Sequence, residues 1–132
     1  MEVLRKVIQI PNTKEHISLV PLGDVHVGSS SCDEQAFVNA VQAVASSPST
    51  YTILMGDLAE CILPDDKRFD ASEVAPWLWA KGKNTRLVDA QYDWVKAHLQ
   101  TIPPSRILGA LRGNHENTIK TKHYRVLKHH LH

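Results

Sequence analysis

With 132 residues, the chain is long enough for one ordinary domain with a buried core. A content of 42% hydrophobic and 22% charged residues excludes a disordered polymer, and a formal net charge of +1 excludes nucleic-acid recognition by bulk electrostatics alone. Cys32 and Cys61 lack the close spacing of a zinc knuckle or redox pair, and the N-terminal residues lack the continuous apolar core of a signal peptide. No stretch reaches membrane-spanning length, so the expectation is a soluble, cytoplasmic protein with no membrane partner.

Val3-Leu4 and Val7-Ile8-Gln9-Ile10 read as strand material, closed by the turn pair Pro11-Asn12. The apolar run 16–22 follows, and together they predict an N-terminal β-hairpin whose second strand feeds a loop from Gly23 to Gly28. Ser31-x-x-Glu34 has the capping-box pattern, in which hydroxyl and carboxylate each satisfy a free backbone N–H. Phe37, Val38, Val41 and Val44 then recur at helical spacing until Ser46-Ser47-Pro48 ends the segment. Residues 51–55 predict a short buried strand that runs into Gly56-Asp57.

Residues 63–83 are the least regular: 64–68 read as loop, and 72–80, with Trp77 and Trp79, as a short helix or a lid. A longer helix is expected after Asn84, with Leu87, Val88, Gln91, Trp94, Val95, His98, Leu99 and Ile102 on or near one stripe, stopped by Pro103-Pro104. Residues 106–111 predict a third buried strand, which delivers Gly113-Asn114-His115-Glu116. The remainder, to His132, is basic and histidine-rich and is expected to be helical. No repeat or linker divides the chain, so a single domain over 1–132 is expected.

Three strand-then-loop junctions thus end in polar clusters, with helices between the strands. Strand–helix–strand connections of this size make parallel pairs with right-handed crossovers, and the loops at the strands' carboxyl ends converge. Asp24, His26, Asp57, Asn114 and His115 should therefore gather in one crevice.

Asp24-Val25-His26-x-Gly28, Gly56-Asp57-x-x-Glu60 and Gly113-Asn114-His115-Glu116 together resemble the first three motifs of the calcineurin-like metallophosphoesterases, in order and in loop position, over roughly residues 16 to 120. The resemblance implies an α/β fold with a mostly parallel sheet flanked by helices, half of a metallophosphoesterase-type double-sheet sandwich, here carrying the N-terminal β-hairpin. It implies a dinuclear centre of two divalent ions, Mn favoured and Fe, Zn or Ni as alternatives, whose mixed oxygen and nitrogen ligands suit such ions better than calcium. Asp24, His26, Asp57 and Asn114 would be its ligands, with Asp57 in the family's bridging position. Two ions about 4 Å apart can hold a nucleophilic hydroxide and neutralise phosphoryl oxygens. His115 occupies the position of the family's catalytic histidine, and Glu60 that of the acidic residue which orients it. The implied activity is phosphohydrolysis, of phosphodiesterase or nuclease type, on a phosphate ester that includes nucleic acid among its classes.

Each feature also has a plainer reading. Asp24 or Asp57 alone is an ordinary turn or cap residue, Glu60 a solvated carboxylate, and Cys61 a small buried apolar group. Trp94 belongs to the core, Trp77 and Trp79 line a groove or pack, and Lys67, Arg68, Lys81 and Lys83 sit on a solvated loop or touch phosphate. The resembled family continues with a strand-borne histidine and a Gly-His-x-His motif. Here His130-Leu131-His132 imitates only the His-x-His part, and a basic helical tail, or one disordered for lack of its partner, is expected in preference to substitution by His123, His129, His130 or His132. The expectation is accordingly a truncated domain that leaves apolar strand residues for a second copy or a partner subunit to cover, with an inactive metal-binding or interaction remnant as the alternative function.

Overall fold

Strand, helix, strand, helix, strand is the order that the hydrophobic pattern dictates, and a computed structural model of the chain, describing residues 3–62, 64, 66–81 and 86–117, has that order. Strand β1 (Ser18–Leu22) leads to helix α1 (Glu34–Ser46) and strand β2 (Thr50–Leu54). A 3-10 turn (Ala71–Glu73), the one-turn helix α2 (Pro76–Trp79) and helix α3 (Leu87–Leu99) precede a second 3-10 turn (Pro104–Arg106), strand β3 (Ile107–Ala110) and the short helix α4 (Asn114–Asn117). The sheet order is β1-β2-β3 and every pairing is parallel. The chain is therefore α/β, with a three-stranded parallel sheet. No helix among the described residues is long and apolar enough to cross a membrane.

Phe37, Val41 and Val44 of α1 and Val95 and Leu99 of α3 meet Leu22, Leu54 and Ile107 in one buried cluster, which Val27, Leu58 and Ile102 complete. This cluster covers one face of the sheet, and the alternate strand residues fall on the other. There Leu19, Met55 and Leu111 stay exposed, and Leu4 lies against Gly109.

The N-terminal hairpin does not form. Residues 3–10 contain no strand, and β1 pairs with β2 alone. Two residues explain this. Pro21 has no N–H to offer a partner on the outer edge of β1, and Leu4 reaches Gly109 on β3, at the opposite edge of the sheet. The Asn12 turn itself is present, with Glu15 N–H donating to its carbonyl and Lys14 N–H to its side chain. A second correction concerns α1, whose N-terminus is capped by Asp33 accepting from Ala36 N–H at 2.9 Å, not by Ser31. Ser31 instead exchanges a hydroxyl hydrogen bond with Ser29. The histidine-rich tail over 118–132, like Lys83 and Asn84, lies outside the described residues.

Arg106 closes the other end of α1. Its buried guanidinium donates to the carbonyls of Val44, Ala45, Ser47 and Thr50, so one side chain from the turn just before β3 satisfies the open end of the helix and the turn into β2. Arg106→Ala is expected to lower stability by about 2–4 kcal/mol, the scale for several buried carbonyls losing charged donors. Urea unfolding of both proteins measures it, and a change below about 0.5 kcal/mol would refute the role.

Candidate metal centre

The three polar motifs sit where the parallel strands end, and backbone hydrogen bonds lock their loops together. Asp24 N–H donates to Gly56 O, Val25 and His26 N–H both donate to Asp57 O, and Val27 N–H donates to Leu58 O, so the first two loops run side by side. Leu111 N–H on Leu54 O brings the third alongside. The close approach needs glycine at two points: Gly56 has φ +87°, and a Cβ on either Gly56 or Gly113 would collide with the other loop's backbone.

Asp24 (φ 55°), His26 (φ 55°) and Asp57 (φ 48°) all adopt left-handed backbone, which non-glycine residues rarely hold. Their side chains approach one another at the loop surface. Asp24, His26 and Asp57 each bring one ligating atom within 4.8 Å of the other two, and so do His26, Glu60 and His115. Asn114 opens α4 as an exposed residue between Gly113 and His115.

His26 is the hub. Its Nε2 lies 2.8 Å from Asp24 Oδ1 and its Nδ1 2.9 Å from Glu60 Oε2, a pairing that only a doubly protonated ring satisfies from both nitrogens. Partial burial works to lower its basicity, but the hydrogen bonds and negative charge of Asp24 and Glu60 outweigh burial and hold His26 above the ordinary histidine value. The His115 ring stands edge-on to it at 4.5 Å between centroids.

Glu60 meets both histidines. Its carboxylate is hydrogen-bonded to His26, while its backbone carbonyl accepts from His115 Nδ1 at 2.7 Å; the carboxylate is 3.7 Å from that nitrogen. Glu60 thus lies between both histidines, a placement that its spacing of three residues from Asp57 does not specify.

Glu116 was legible as part of the third motif, but not in its role. It is 4% exposed, and its carboxylate accepts from Asp57 N–H (2.8 Å), Leu58 N–H (2.8 Å) and Gly113 N–H (2.9 Å), with Ala59 N–H at 3.5 Å. One buried carboxylate thus ties the second loop to the third. Asp57 Oδ1 returns the link by accepting from His115 N–H at 2.7 Å. An acidic residue three positions after a loop glycine was the available signal.

The plainer readings hold elsewhere. Cys61 is buried and its thiol is pushed up to about 12 by burial, so it is a packing group. Arg68 is engaged within its own loop, donating to Asp66 at 2.7 and 3.0 Å. Trp77 stacks on Trp94 under Lys81 and donates to Glu34, so it packs, while Trp79 is exposed.

What the fold and the site define together is a carboxylate–imidazole cluster at the carboxyl edge of a parallel sheet. No protein-family model, no curated protein and no solved structure matches the chain.

Proposed function

We propose that this chain is a metal-dependent phosphohydrolase of the calcineurin-like metallophosphoesterase type, acting on phosphodiesters, with nucleic acid as a substrate class. The convergence of Asp24, His26 and Asp57 with His115 carries the reading: three left-handed residues after parallel strands, and a histidine whose amide is bonded to the Asp57 carboxylate. The donor set fits a divalent first-row ion, because it mixes carboxylate oxygen with imidazole nitrogen at ligand-to-ligand separations an ion can draw in. Asp24, His26, Asp57 and Asn114 would hold two such ions, Mn favoured, which when bound supply an activated water and neutralise phosphoryl charge. The half-sandwich architecture belongs to the same proposal.

The chain's own residues do the remaining work. The Glu60 carboxylate holds His26 Nδ1 and so directs Nε2 toward Asp24, the usual service of a carboxylate behind a ligating histidine. The Glu60 carbonyl holds His115 Nδ1–H, so a protonated ring presents Nε2–H to a phosphate oxygen or a leaving oxygen. Partial burial of His115 and Glu60, at 21% and 22% side-chain exposure, strengthens both interactions.

Hydrolysis of bis(p-nitrophenyl) phosphate that requires Mn2+, disappears on chelation and returns with added Mn2+ is the expected result. A second reading, a metal-binding module without turnover, draws on the donor count: Asp24, His26, Asp57 and Asn114 would be four ligands for two ions, whereas a single structural zinc alone takes four. Metal binding without turnover on this ester or on single-stranded DNA would decide for that second reading.

A further inference from the structure

His26 faces two ligand groups with its two nitrogens, and the reaction just described uses the second, Glu60 with His115, for positioning and proton transfer but not to hold an ion. His26, Glu60 and His115 are all half-buried, and their ligating atoms lie within 4.8 Å of one another. Zinc–nitrogen and zinc–oxygen bonds of about 2.0–2.2 Å set neighbouring ligand atoms of a tetrahedron about 3.4 Å apart. His26 Nδ1 to Glu60 Oε2 is 2.9 Å and His115 Nδ1 to Glu60 Oε1 is 3.7 Å, on either side of that value, and the ion displaces the proton that His115 Nδ1 now donates to the Glu60 carbonyl at 2.7 Å. Two histidines and one glutamate form a zinc ligand set that leaves a fourth position open.

From this geometry we infer that His26 Nδ1, Glu60 and His115 form a separate mononuclear site for a borderline cation of the Zn2+ class, overlapping the Asp24–His26–Asp57 group at His26. Three features favour it as the tighter site for such an ion. Its side chains are 27%, 22% and 21% exposed, whereas the Asp24 carboxylate of the outer group is 88% exposed and loses more freedom on binding. Its donors are mainly imidazole, which suits zinc, while the carboxylate-rich outer group suits manganese. With zinc on Nδ1, His26 Nε2–H still donates to Asp24 at 2.8 Å, so Asp24 becomes the carboxylate behind a ligating histidine.

The site itself stands on these distances; one consequence rests on the phosphohydrolase reading. Zinc held here takes His26 from the outer group and His115 from the substrate phosphate. Zn2+ therefore inhibits Mn2+-dependent turnover.

The test is the first equivalent of Zn2+ added to the full chain, followed by long-range 15N–1H spectra of its imidazoles. Metallation of His26 at Nδ1 together with a shift of His115 is expected. Competition with a chromophoric chelator should show His115→Ala weakening the first zinc by about tenfold or more, and Asp57→Asn by less than threefold, both variants keeping the wild-type amide spectrum. Zinc on His26 Nε2 with His115 unmoved, and the first ion lost in Asp57→Asn, would overturn the inner site and leave the outer centre standing. Failure of the native chain to bind zinc or Mn2+ would overturn both.

Discussion

His115→Ala is expected to lower kcat for bis(p-nitrophenyl) phosphate by about 100- to 10,000-fold at saturating Mn2+ with zinc excluded, the range for losing a positioned acid–base group. The residue is fixed at two points: its ring by Nδ1 on the Glu60 carbonyl and its backbone by N–H on Asp57 Oδ1. A fixed imidazole at the edge of the ligand cluster can stabilise phosphoryl charge and deliver a proton in one arrangement, whereas alanine provides neither. Saturating Mn2+ separates this loss from any change in metal affinity. The loss should fall mainly in kcat, with KM changing less, because the interaction strengthens as charge develops on the leaving oxygen. Turnover within about threefold of the native chain would remove His115 from the chemistry and leave the ions alone to account for it.

Glu116→Gln is expected to be nearly as damaging to the fold as Glu116→Ala, each costing about 3–5 kcal/mol on the scale of 1–3 kcal/mol per buried donor left without an acceptor. The glutamine is isosteric, so it isolates hydrogen bonding from cavity formation. Its oxygen can serve Leu58 N–H, but its amide nitrogen then confronts Asp57 and Gly113 N–H, donor against donor. Thermal melts should fall by roughly 10 °C or more. A glutamine variant melting within 2 or 3 °C of the native chain would show that the carboxylate is dispensable and that the loops hold each other through backbone alone.

How far the sequence reached can be traced through particular residues. The strand ahead of each motif and the stripe Val88, Val95 and Leu99 were legible because each depends only on local period; β2 and β3 follow those patterns to within a residue of their ends, while α3 ends at Leu99, three residues before Ile102. Convergence of Asp24, His26, Asp57 and His115 was legible because parallel crossovers leave one edge for the loops. The N-terminal hairpin misled because alternating apolar residues fix a strand's propensity but not its neighbour, and Pro21 removes the edge such a neighbour needs. Ser31 lost the cap to Asp33 because both have the chemistry and two residues of loop geometry decide between them. Glu60, Arg106 and Glu116 act over sequence separations of about 34 to 62 residues, on backbone groups or rings that no local pattern marks.

The left-handed backbone at Asp24, His26 and Asp57 bears on how this chain can be improved. Each such position costs a non-glycine residue on the order of 1–2 kcal/mol, which glycine would return. Selection for thermal resistance alone would move all three toward glycine, and would erase the ionisable side chains in the same steps. Stability and metal chemistry here draw on the same three torsion angles, so any programme to harden this protein has to leave its most strained residues alone and work instead on the exposed sheet face.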